Sequence, residues 1–228
     1  MRSCWLDADT GRNQSQPVSI ATRQSRSRRY NVALTHVRRP KITRANRYRY
    51  YTATTLDGFL ADEHDSLAWL FQQDIDEDGP GSAGTLMEEI GAQVMGATTY
   101  LWVLEHEADW LPQLPTFVFT HRDLKPANEN VMFLAGEPTE HRSTIEDAAG
   151  EKDVWMMGGG DLAASFASAG MLDEIQVAIA PVMLGSGRPL FGGAFELSLR
   201  DCARNRDFLT ATFDVVGPLA SHRAGQRP

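Results

Sequence analysis

Short apolar runs with a two-residue period alternate along this chain with segments of helical spacing. Arg47–Thr54 predicts a strand rich in Tyr and Thr, and Asp57-Gly58 predicts a turn after it. Leu67–Gln73 reads as a short helix, Asp74–Gly84 as an acidic loop, and Thr85–Ile90 as part of a second helix. Gln93–Met95 is a short buried strand, and Thr98–Glu107 a third helix opening at Gly96. Thr116–Thr120 and Val131–Leu134 read as strands, and Ser143 with Glu146 three residues on suggests a capping box at the start of a further helix. The continuous apolar strand Val154–Met157 runs into Gly158-Gly159-Gly160, and Leu162–Ala169 follows as a helix of small residues. Glu174–Ala180 alternates as a strand, and Phe195–Leu199 and Phe208–Val216 close the series. Strands alternating with helices predict an α/β domain with a mostly parallel central sheet covered on both faces. The consecutive strands after Leu172 predict antiparallel strands at one edge.

Charge divides the chain unevenly. Residues 1–45 carry 10 Lys/Arg and 2 Asp/Glu, whereas residues 46–228 carry 12 and 28. The first part reads as a basic, disordered leader, its apolar positions showing neither period. An organellar transit peptide is the minority reading. Residues 46–218 read as the globular domain and 219–228 as a loose tail. An acidic body argues against nucleic acid as a partner, because phosphate binding needs a cationic surface. No apolar run approaches the roughly 18 residues of a membrane span. Cys4 and Cys202 offer neither a disulfide framework nor a cysteine-rich metal site, so a reducing cytoplasm is expected. The His residues show no metal-ligand spacing, and no metal is expected.

Two segments share one device, a short strand, then glycine, then a helix start. In Val154–Leu162 the glycines would let a ligand approach the backbone, and the helix N-terminus offers free N–H groups to a phosphate. The same segment is equally readable as a glycine turn that packs helix on strand. It is not the Gly-x-Gly-x-x-Gly dinucleotide pattern, since position 163 is Ala163. Met95-Gly96-Ala97-Thr98-Thr99-Tyr100 repeats the device, with Thr hydroxyls that suit a cap or a phosphate. Thr120, His121 and Arg122 end a third strand, and a hydroxyl beside a guanidinium suits a phosphate monoester. Asp57 and Asp65 flank the first strand-to-helix loop and are the acid–base candidates. His121–Asn128 reproduces a protein-kinase catalytic loop letter for letter. The strand Lys and the Asp-Phe-Gly that a kinase needs are absent, so that reading is rejected.

The order of these motifs carries a resemblance. Thr54–Ala61, Leu67-Ala-Trp-Leu70, Val94–Tyr100, Val118–Arg122, Trp155–Leu162, Leu172–Gln176 and Pro181–Phe191 together resemble dihydrofolate reductase family proteins. The kinship is with those related to the C-terminal reductase domain of the bifunctional riboflavin-biosynthesis deaminase/reductase. The resemblance covers roughly residues 47–217. It implies a three-layer α/β/α sandwich, NADPH as cofactor, a small pterin- or pyrimidine-like substrate, and a homodimer formed through the C-terminal strands. It places Gly158, Gly159, Gly160, Asp161 and Leu162 against the cofactor and Gly96, Thr98 and Thr99 by the pyrophosphate. Thr120 and Arg122 would lie by the adenosine phosphate, Trp69 on the nicotinamide side and Asp57 at the active-site cleft. Three positions depart from the family pattern: Ala97 replaces an Arg, Ser66 an acid, and Met157 a Glu. They motivate a second reading, an NADPH-binding protein of the same fold with little catalysis.

Overall fold

The structure, a computed structural model, describes residues 46–106 and 114–219. In chain order it runs β1 (Tyr48–Thr55), β2 (Phe59–Ala61), a 3-10 turn (Leu70–Gln72), α1 (Ala83–Met87), β3 (Ile90–Gly96) and α2 (Ala97–His106). Then come β4 (Thr116–Phe119), β5 (Val131–Leu134), a 3-10 turn (Pro138–His141), α3 (Arg142–Ala149), β6 (Asp153–Gly158) and α4 (Gly160–Ser168). β7 (Leu172–Ala180), β8 (Arg188–Pro189), β9 (Phe195–Asn205) and β10 (Phe208–Pro218) complete it. Eight strands form one sheet in the order β5-β4-β3-β6-β1-β7-β10-β9, and β2 pairs with β8 apart from it. The pairings from β5 to β7 are parallel, and β10 and β9 join antiparallel.

Strand alternation sorts the core into two faces. Tyr48, Tyr50, Val94, Val154, Met156 and Val177 point to one face, where Ile145 of α3 and Ala163 and Phe166 of α4 cover them. On the other face Tyr100 of α2 packs on Met95 and Val118, and Leu86 of α1 on Trp155. Trp69 fills the same side over Ala178, Ala180 and Phe208. The result is the three-layer α/β/α sandwich that the resemblance implied.

At the N-terminal ends of β1 and β7 lies an ionic cluster centred on Glu174, whose side chain is 1% exposed. Its carboxylate accepts from Arg47 at 2.5 Å, from Arg49 at 2.8 Å and from Arg200 of β9. Arg200 also pairs with Asp214 of β10, and Arg49 reaches Glu89 and Asp153. One carboxylate therefore ties the parallel part of the sheet to the antiparallel edge. Burial works against its ionisation, but Arg49, Arg47 and Arg200 outweigh that cost and hold its pKa below the ordinary value.

Several elements differ from the expectation. Leu67–Gln73 gives only the 3-10 turn, because the chain before it is spent in a turn. There the Asp62 carboxylate accepts from the N–H groups of His64 and Ser66, and Asp65 adopts φ 63°. So short a segment gains little from helix formation alone. The second helix ends at Met87, since Ile90 is drawn into the sheet core. The capping box does not form: the N-cap is His141 without a side-chain cap, and Glu146 instead faces Arg142 at 3.7 Å. β7 is buried on both faces, Glu174 and Gln176 included, because it is flanked by β1 and β10 and covered by α4 on one face and by the Trp69 segment on the other. β9 continues six residues past Leu199 to Asn205, since an exposed edge strand needs only its ladder to β10 and no apolar alternation. The expected leader and all of the tail but Leu219 lie outside the described residues.

Glu174→Gln should lower stability by about 3 kcal/mol, since it removes the buried carboxylate that Arg47, Arg49 and Arg200 share. For a domain of this size that is about 10 °C in melting temperature. Because the folded pKa is depressed, this stabilisation is present above the unfolded carboxylate value of roughly 4.3 and is lost as pH falls through the folded value. Melting curves between neutral and acid pH should show a shallower acid limb in the variant. An acid limb equal to that of the wild-type chain would exclude Glu174 as its source.

Candidate functional site

The strand order creates a switch point. The connection from β3 through α2 leads outward to β4, whereas that from β6 through α4 leads the opposite way to β7. Right-handed crossovers of opposite direction put α2 and α4 on opposite faces and open a crevice between the C-terminal ends of β3 and β6. Both strands end in glycine there. Gly158 faces the first turn of α2 so closely that a Cβ on it would lie 2.8 Å from Thr99 Oγ1. A Cβ on Gly96 would meet nothing within 4 Å, so the space beyond that backbone is open. Gly159 turns the chain into α4 at φ 96°, a conformation that a branched residue tolerates poorly.

Gly160 has a different reason to be glycine. A Cβ on it would lie 2.4 Å from the Pro189 carbonyl oxygen and 2.7 Å from that of Leu190, so it is packed under the β8 loop. Asp161 points to the outer side of α4, against Gly192 and into a groove of about 520 Å³ shared with Glu137 and Ser165. Leu162 packs on the core. Of the glycine segment, then, Gly158 and Gly159 border the crevice most directly.

Thr120 closes β4 with its N–H on the Leu134 carbonyl, and its hydroxyl accepts from the Arg122 N–H at 2.9 Å. The Arg122 side chain is exposed and makes no ion pair within the described residues. Together with Thr98 it lines a cleft of about 690 Å³ between α2 and the segment 64–71. The kinase-like octapeptide is simply this surface loop, tied to α2 by Tyr100, whose hydroxyl accepts from Ala127 N–H and donates to the Lys125 carbonyl.

Both acid–base candidates are engaged. Asp57 accepts from the Thr55 hydroxyl at 2.6 Å and from the N–H groups of Gly185 at 2.7 Å and Leu184 at 3.2 Å. The Thr55 bond first, and the Gly185 bond after it, hold its carboxyl below the usual range. It pins the turn after β1 to the loop after β7. Asp65 borders the cleft but grips Arg188 with both oxygens, at 2.6 and 3.1 Å. Trp69 is turned into the core, 7% exposed, with Nε1 buried and without a partner. Its sequence neighbours Ala68 and Phe71 line the cleft in its place.

Sequence reasoning missed one wall of the cleft, made by Phe71, Leu101, Trp102, Glu105 and His106. The signal was present: Leu101 and Glu105, and Trp102 and His106, stand four apart on one helix and so share a face. No group of three or more His, Cys, Asp or Glu among the described residues could hold a metal ion. No helix among them is long and apolar enough to cross a membrane.

The RibD C-terminal domain family matches residues 49–206, nearly all of the sheet described above. The uncharacterized Bacillus subtilis (strain 168) protein YwjB is 28% identical over 146 residues, 62% of this chain and 80% of its own length. A second uncharacterized protein of that organism, YyaP, is 25% identical over 158 residues, 61% of this chain and 77% of its own. Among solved structures, a Shewanella sp. PV-4 protein provisionally assigned to riboflavin biosynthesis superposes with a TM-score of 0.65 at 26% identity. That match covers 74% of this chain and 98% of the Shewanella one. The Thermotoga maritima deaminase/5-amino-6-(5-phosphoribosylamino)uracil reductase shares the fold, with a TM-score of 0.53 at 15% identity over 75% of this chain and 56% of its own. With its α/β/α sandwich and a family match over most of its length, this chain belongs to the RibD C-terminal domain family.

Proposed function

We propose that the chain is an NADPH-dependent reductase that transfers a hydride to a small pterin- or pyrimidine-like heterocycle. The observation that carries this reading is the approach of Gly158 to Thr99 at the switch point, which sets two helix N-termini beside one open crevice. N–H groups and the positive dipole end at a helix start favour a phosphate. In this reading Gly96, Thr98 and Thr99 hold the pyrophosphate of NADPH from one side and Gly158, Gly159 and the start of α4 from the other. The open space beyond Gly96 fits a backbone-hugging ligand. Arg122, with Thr120 ordering its loop, takes the adenosine phosphate. The cofactor supplies the hydride when bound. The chain orients the acceptor ring in the neighbouring cleft, between α2 and segment 64–71, and keeps water from its buried side. Asp57 works here as a positioning residue that fixes the loop after β7, and Asp65 does the same for segment 64–71 through Arg188.

A second reading keeps cofactor binding and drops turnover. The engagement of both carboxylates, Asp57 by three donors and Asp65 by Arg188, favours it, since neither is free to move a proton. NADPH oxidation assayed with dihydrofolate and with 5-amino-6-ribosylaminouracil 5′-phosphate separates the two readings.

The chain is also proposed to form a homodimer through its C-terminal strands. β9 is an edge strand of 11 residues, and Leu197 (39% exposed) and Leu199 (58% exposed) pair with Val215 and Phe213 along one face. An uncovered strand edge with an apolar stripe is a ready surface for a second copy.

Gly96→Val should leave the apo melting point within a few degrees, because its side chain meets open space, and should abolish the upward shift that NADPH produces by binding the native state. A full shift in the variant would remove the crevice from the cofactor assignment. Arg122→Ala should weaken NADPH about tenfold or more while sparing NADH, since a charge-assisted contact is worth roughly 1.5–3 kcal/mol. Equal loss for both nucleotides would take Arg122 out of the phosphate role. In sedimentation experiments at micromolar concentration the wild-type chain should run as a dimer and Leu199→Lys as a monomer. A wild-type monomer would refute the β9 interface.

A further inference from the structure

One wall of the 690 Å³ cleft is a stack of three rings. Phe71 and Trp102 have centroids 6.2 Å apart with planes 11° off parallel, and Trp102 and His106 lie 4.5 Å apart at 10°. Three rings thus share nearly one orientation across two elements, the segment after Trp69 and the outer face of α2. The stack leaves Phe71 63% exposed, with ring surface still uncovered inside the cleft. A parallel aromatic surface of this kind takes a further planar ring as its next layer by offset stacking.

The charges of the cleft narrow the ligand. Arg122 is the one Lys or Arg among its described lining residues. In the reductase reading, that guanidinium belongs to the cofactor. Asp65 is already neutralised by Arg188, and Glu105 adds a negative charge to the wall. Two imidazoles remain. His106 is held flat on Trp102 with Nδ1 3.0 Å from the Trp102 carbonyl oxygen, and His64 sits at the exposed rim. A phosphate monoester carries a charge of about −1.5 to −2 and three strong acceptor oxygens, and it calls for several cationic or N–H donors together. The described lining has no such cluster left over, whereas its aromatic face is large.

We infer that the cleft takes a planar heteroaromatic ring without a phosphate group, layered on the Phe71–Trp102 stack, and that these two side chains are the specificity determinants of the site. The inference rests on the reductase reading for the assignment of Arg122 to the nucleotide. The aromatic platform itself stands on the geometry alone. It separates this chain from an enzyme that reduces a phosphoribosyl pyrimidine.

The test uses the full chain and three fluorescent probes. Riboflavin and riboflavin 5′-phosphate share one ring and differ by a phosphate, and lumazine is a smaller phosphate-free ring. The expected result is quenching by the protein of riboflavin, lumazine or both at micromolar to submillimolar concentration. Riboflavin 5′-phosphate should bind no tighter than riboflavin. Phe71→Ala should weaken ring binding about tenfold or more, in line with the loss of one stacking partner, and Phe71→Tyr should retain it. The NADPH-induced melting shift should be the same in wild type and Phe71→Ala, which also checks that the variant is folded. Binding of the phosphate ester at least about tenfold tighter than riboflavin would overturn the inference. So would an unaltered affinity in Phe71→Ala, or no quenching of either phosphate-free ring up to millimolar concentration. Ring binding without any NADPH shift in the wild type would sink the cofactor reading and leave the platform standing. An NADPH shift without ring binding would do the reverse.

Discussion

The site exists because β6 is laid between β3 and β1. That placement puts two strand ends, each glycine and each leading to a helix start, side by side. Gly158 stands within van der Waals reach of Thr99, and Gly96 opens onto empty space. A larger residue at Gly158 would have to displace the Thr99 side chain on the first turn of α2. The cleft beyond is a direct consequence, since the position of α2 decides how far Trp102 stands from Phe71.

The opposite end of the sheet is built on a different principle. There Glu174 collects guanidinium groups from β1 and β9, and Arg200 passes the tie on to β10. A buried ion cluster of this kind adds specificity of register more than net stability. It fixes the junction where parallel pairing gives way to antiparallel. Charge neutralised at one end and open backbone N–H groups at the other make the sheet polar in function along its strands.

What was legible in the sequence was local. The apolar runs ending in Gly96 and Gly158 announced strand, turn and helix because each signal lies within about ten residues of the next. The order of such units carries the resemblance to the family. The roles of single residues were less legible. Asp57-Gly58 looked like a turn with a spare carboxylate, but its acceptors are filled by Leu184 and Gly185, which the sequence holds far away. Gly160 looked like part of a ligand cradle, but the carbonyls of Pro189 and Leu190 are what exclude a side chain there. Trp69 looked like a cofactor contact, but the apolar pocket of Ala178, Ala180 and Phe208 claims it. In each case a long-range packing contact, invisible to spacing arguments, decided the matter.

The fastening of Gly160 under Leu190 also bears on the order in which the molecule comes together. Asp57 reaches Gly185 across 128 residues, and Tyr50 donates to the Leu190 carbonyl across 140. Contacts at such separations form late, because loop-closure entropy must be overcome before they can hold. A nascent chain that has left the ribosome only as far as α4 already has β1, β3, β4 and β6. It lacks the segment that clamps the turn after β1 and covers the start of α4. Docking of the turn after β1 and of the start of α4 is thereby deferred until residues 184–192 have been made.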